Sequence, residues 1–82
     1  MSKYRESILM SNIRADIAEL FRHYVDHPDN VIDGNTDWDF VEADIMMHLG
    51  VDRVIEEMGS LEAFYGYYAE LVDLHLALEA AA

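Results

Sequence analysis

Between Asp33 and Gly50 a turn leads into a helix whose apolar residues fall on two faces instead of one. With about 100° between successive side chains, Trp38, Val41, Ile45 and Leu49 make one stripe. Phe40, Ala43 and Met47 make a second, nearly opposite. A surface helix carries a single apolar stripe, so this one is either sandwiched at the centre of the fold or shares a face with a partner. Carboxylates run between the stripes, Asp37 with Asp44 along one edge and Asp39 with Glu42 along the other. Thr36 stands where an N-cap belongs, and Asp39 three residues on can reach back as a shortened capping box.

The other helices follow from periodicity. Leu9, Met10, Ile13, Ile17, Leu20, Phe21 and Tyr24 share one face of a first helix expected over residues 3–26, ended by His27-Pro28 because the residue before proline disfavours helical ψ. Residues 28–36, PDNVIDGNT, read as a loop whose Val31 and Ile32 tuck against the core. The second helix spans 37–49 and stops at Gly50. Asp52 is expected to cap a short helix over 53–58, closed by Gly59. Ser60 caps a last helix running to about Leu78. On it Leu61, Phe64, Tyr68, Leu71, Val72 and His75 share a face, His75 as a buried, hydrogen-bonded histidine. Tyr67 and Leu74 sit at its edge, and Gly66 suggests a close helix approach. No strand-like alternation appears. The expected fold is all-α, a compact bundle of three longer helices and one short helix, forming a single acidic helical domain over residues 1–82.

Composition narrows the function. Apolar residues make up 52% of the chain, enough for a core and too many for a disordered acidic tail. There is no cysteine, which excludes disulfides and thiolate metal sites. No apolar run reaches the roughly 18 residues that span a membrane, no signal peptide opens the sequence, and Met1-Ser2-Lys3 reads as a cytoplasmic start. The net charge of −12 exceeds in magnitude what suits a small domain, and it is lopsided. Residues 1–25 hold four basic and three acidic side chains, residues 26–82 one basic and fourteen acidic. No Lys or Arg occurs between His23 and Asp52. Such a surface repels nucleic acid and anionic lipid and attracts basic proteins or cations. Adaptation to high salt also produces acidic, Lys-poor surfaces, but would not by itself clear one thirty-residue segment of basic residues.

No complete catalytic motif emerges. His23 and His27 are four apart, a spacing that can present two imidazoles to one metal, but HYVDH lacks the Glu of a zinc-protease helix and fixes no third ligand. His48 follows Asp44 by one turn, so an Asp–His hydrogen bond is expected, without a nucleophile to make it catalytic. The acids from Asp29 to Glu42 do not form an EF-hand: with Gly34 at the sixth position, Val31 and Phe40 occupy carboxylate positions, and the register ending on Glu42 begins on Val31. No metal or cofactor is expected. His27-Pro28-Asp29 resembles the tripeptide of J-domain co-chaperones, a likeness confined to three residues. In that family the preceding helix is strongly basic, whereas here it is mixed in charge.

The acids themselves carry the functional reading. Carboxylates three or four apart on a helix are about 5–6 Å from one another. The rows Asp37/Asp44, Asp39/Glu42, Glu56/Glu57 and Glu62/Asp73/Glu70 can therefore occupy a groove built for phosphates, because Lys and Arg bind both oxyanions alike. Trp38, Tyr65 and Tyr67 are the residue types that anchor interfaces. In size, charge and helical class the chain is similar to small acidic inhibitors: phage anti-restriction and anti-CRISPR proteins, or immunity proteins that block nucleases. That similarity implies a non-enzymatic DNA-mimic-like inhibitor bound to a basic protein, such as a nuclease or nucleic-acid-binding complex, with no direct nucleic-acid or membrane contact. The expected binding residues are Asp29, Asp33, Asp37, Trp38, Asp39, Glu42, Asp44, Glu56, Glu57 and Tyr67. The alternative is a helical homodimer or assembly adaptor, joined through the second stripe of the 37–49 helix or through the Tyr67/Leu74 edge.

Overall fold

The computed structural model describes residues 12–81, so Leu9, Met10 and the expected helical start at Lys3 lie outside the described residues. Helix α1 spans Ile13–Val25. Asn12 is extended, and its side chain accepts a hydrogen bond from the Arg14 amide, so the expected continuous helix over 3–26 is broken there. Ile13, Ile17, Phe21 and Val25, each four apart, line its buried face.

Pro28–Asn30 follow as one 3-10 turn, and then, against expectation, a two-residue hairpin: β1 (Val31–Ile32) paired antiparallel with β2 (Asn35–Thr36). Asp33 and Gly34 connect them with φ of 54° and 81°. Two positive φ values in a two-residue loop are what a type I′ turn requires, and Asp-Gly supplies them cheaply. Being in the hairpin, Val31 and Ile32 do not tuck inward; both are exposed.

Helix α2 covers Trp38–Leu49. Its cap is Asp37, whose carboxylate accepts from the Phe40 amide at 3.2 Å, not Thr36, which is paired in β2. Gly50 ends α2 with a positive φ and starts α3 (Val51–Met58) without a side-chain cap, so the two helices share a one-residue joint. Asp52, expected as that cap, lies instead inside the first turn of α3. Helix α4 runs Leu61–Ala81, with the Ser60 hydroxyl accepting from the Ala63 amide as expected, and extends one turn beyond the anticipated end.

The result is an all-α bundle of three longer helices and a short one, with the hairpin appended. Its core gathers the α1 stripe with Val41, Ile45 and Leu49 of α2, Val54 of α3, and Phe64 and Tyr68 of α4. Aromatic rings join three helices. Phe21 stacks on Trp38 at 6.0 Å and meets Tyr68 and His75 edge-on at 5.9 and 5.8 Å. His75 is half-buried, with Nε2 3.4 Å from the Glu79 carboxylate. Arg53 ties α3 to α1: its guanidinium donates to Asp16 at 2.7 Å and to Glu57 at 2.9 Å, contacts that hold it in its charged form. Gly66 is exposed, and a Cβ built there would meet nothing within 4 Å, so among the described residues no helix approaches it closely. Among the described residues no helix is long and apolar enough to cross a membrane.

Candidate protein-binding surface

Among the described residues, one stripe of α2 is packed into the core and the other is open. Val41, Ile45 and Leu49 are buried and Trp38 is half-buried against Phe21, whereas Phe40 is 52% exposed, Met47 80% exposed and Ala43 open between them. On the helical wheel Asp39 flanks this outer stripe on one side and Asp44 on the other. The surface is thus an apolar strip between two carboxylates.

Asn30 positions the hairpin beside it. This side chain, 2% exposed, donates to the Tyr24 carbonyl at 3.1 Å and to the Asp44 carboxylate at 3.0 Å. The main-chain carbonyl of Asn30 accepts the Asp37 amide at 2.7 Å. One residue therefore fixes the end of α1, the root of the hairpin and the flank of α2. The hydrogen bond of Asp44 goes to Asn30 and not, as expected, to His48, which lines a separate hollow with Asp16, Glu19 and Arg53. Nothing in the sequence around Asn30 marked it; its importance comes from contacts fourteen residues apart.

Two shallow grooves flank the hairpin. One, of about 390 Å³, is lined by Tyr24, His27, Asp29, Asn30, Phe40 and Asp44. The other, of about 520 Å³, is lined by Ile32, Asn35, Thr36, Asp37, Trp38 and Asp39. Asp29 and Asp44 thus border one groove and Asp37 and Asp39 the other, with Asp33 exposed at the hairpin tip. Glu42 is half-buried on α2. Burial first, and the charge of Asp39 second, push its carboxyl above the ordinary range. Glu57 is paired with Arg53, and Glu56 is exposed on α3. Tyr67 is half-buried, donating to the Arg14 carbonyl at 3.3 Å with the Arg14 guanidinium 5.6 Å from its ring centre. These last three line neither groove.

His23 and His27 have ring centres 6.3 Å apart, and His27 Nδ1 accepts the Asp29 amide at 3.2 Å, closing the 3-10 turn. Among the described residues no three His, Asp or Glu side chains converge as a metal site would require. Comparison with protein-family models, with characterised proteins and with solved structures finds no match to this chain.

Proposed function

We propose that this chain is a non-enzymatic inhibitor that binds a basic, nucleic-acid-handling protein in the cytoplasm and occludes its nucleic-acid site. The observation that carries the reading is the outer stripe of α2, Phe40, Ala43 and Met47, held open between Asp39 and Asp44 and bordered by Asp29, Asp33 and Asp37. Apolar residues in the middle of a patch supply affinity once desolvated, and a carboxylate rim selects a cationic partner and accelerates encounter. A segment from His23 to Asp52 without Lys or Arg gives the rim a single sign.

The test is affinity for a partner captured from host lysate, measured at two salt concentrations with and without the partner's nucleic acid. Binding should weaken as salt rises, and nucleic acid should compete. The rim variant must avoid acids that hold the fold: Asp37 caps α2 and Asp44 holds Asn30, so reversing those two is not neutral. Asp29→Lys with Asp39→Lys and Asp33→Asn changes only exposed carboxylates and should abolish binding with the fold intact. Salt-insensitive binding, or a ternary complex with nucleic acid, rules out occlusion by charge.

A further inference from the structure

A second apolar surface lies away from the acidic region, on the far half of α4. Between α1 and α4 runs a groove of about 270 Å³ lined by Ala18, Phe21, Arg22, Leu71, Leu74, His75 and Leu78. We propose that its occupant is a second copy of this chain, with α4 pairing against its own copy about a twofold axis near Leu74.

Spacing is the first argument. Tyr67, Leu71, Leu74, Leu78 and Ala81 follow one another at intervals of four, three, four and three, the a/d repeat by which helices pair with helices. The first two are used within the chain, Tyr67 on Arg14 and Leu71 against the core. Leu74 and Leu78 are 57% and 63% exposed. The seam thus continues past the point where α1 stops covering it.

Charge is the second argument, and it separates this surface from the outer stripe of α2. That stripe has a carboxylate on each side, so two copies brought together there repel. Along α4, with Leu71 and Leu78 as a positions, Asp73 and Glu79 fall at c and b, away from the contact. The flanking e and g positions hold His75 and Ala77, and Glu70 is the one acid among them. Arg22, on the rim of the groove level with His75, is the cation that Glu70 of the other copy would meet. A chain that repels its own copy over most of its surface keeps one face where opposite charges meet. A standard interface takes about 800 Å² from each partner, more than a two-heptad seam offers alone. Ala18 and Arg22 of α1 therefore belong to the contact, with the buried Phe21 as the floor of the groove, and Ala18 leaves the hollow into which a leucine of the other copy fits.

Sedimentation of the purified chain should show a dimer at about 100 µM that weakens on dilution. Because the chains carry −12 each, association should strengthen with salt, the opposite of binding to a basic partner. Leu74→Glu with Leu78→Glu, both at exposed positions, should raise the dissociation constant more than about 100-fold with helical content and melting unchanged, whereas Met47→Glu should leave it alone. The sequence has no cysteine, so Leu74→Cys introduces a lone thiol. Under mild oxidation it should crosslink far faster than Asp73→Cys on the outer face. A monomer at both salt concentrations, a dimer that survives the double Glu variant, or equal crosslinking of the two thiols would overturn the proposal. So would a monomer whose Leu74→Cys thiol resists alkylation, since another part of the same chain then covers the groove.

Discussion

The Tyr68 hydroxyl lies 2.6 Å from the Trp38 carbonyl oxygen, tying the middle of α4 to the first turn of α2. Around it stand Glu42, Asp39 and Asp37. Burial first, and these carboxylates in the order given, push the Tyr68 hydroxyl well above the ordinary tyrosine range. A group whose pKa is raised by folding adds stability that is complete below its unfolded value and is lost as pH climbs toward the folded one. The protein should therefore lose stability above about pH 10. Tyr68→Phe should cost about 1 kcal/mol at pH 7 and remove that part of the alkaline loss. Urea unfolding at pH 7 and above pH 10 reads both effects.

Asn30 should be among the most sensitive positions in the chain. Replacing it with Ala leaves the Asp44 carboxylate without this donor at a half-buried point, and takes one donor from the Tyr24 carbonyl, which keeps the His27 amide at 3.1 Å. The expected cost is about 2–3 kcal/mol, because hydrogen bonds to charged groups are the stronger kind. Amide exchange should show the hairpin residues Val31–Thr36 losing protection first, since the side chain that anchors residue 30, and with it the main-chain acceptor of the Asp37 amide, to α1 and α2 is gone. A variant with unchanged melting would mean that the hairpin is held by its own turn.

The helices were legible because each buries an apolar face with helical period: Ile13, Ile17, Phe21 on α1, Val41, Ile45, Leu49 on α2, Phe64 and Tyr68 on α4 all occupy the faces their spacing indicates. The two stripes of α2 were legible too, and the structure divides them between core and surface. The hairpin was missed although Asp33-Gly34 between Val31-Ile32 and Asn35-Thr36 is a strong short-range turn signal; two-residue strands are too short to show alternation. Caps failed where neighbouring candidates competed. Thr36, Asp37 and Asp39 can each cap a helix, and pairing of Thr36 in β2 leaves the role to Asp37. Asn30 and the Asp16–Arg53 link join residues far apart in sequence, a relation no local pattern encodes.

Gly66 separates a packing role from a propensity cost. It lies in the interior of α4, exposed, with room for a methyl group. Gly66→Ala should stabilise the protein by about 1 kcal/mol, the helix-propensity difference between the two residues, and raise the melting temperature accordingly. A destabilised variant would show that something outside the described residues packs closely there.

Glu42 offers the last test, because its strain is electrostatic and reversible. Burial first, and the neighbouring Asp39 second, disfavour its charged form, so the folded chain holds that proton more tightly than the unfolded chain does. Its contribution is therefore favourable below the ordinary carboxylate range, near pH 4, and is lost as pH rises through the raised folded value. At pH 7 the charge opposes folding. Glu42→Gln keeps the shape and removes the charge, so the variant should be the more stable protein at pH 7, by less than about 1 kcal/mol for a group this accessible. The advantage should shrink as pH falls toward 4. Asp73→Asn on the exposed face of α4 controls for the change in net charge alone and should stabilise less. Equal gains from the two substitutions would assign the effect to overall repulsion at −12 and leave no special role to the half-buried position of Glu42.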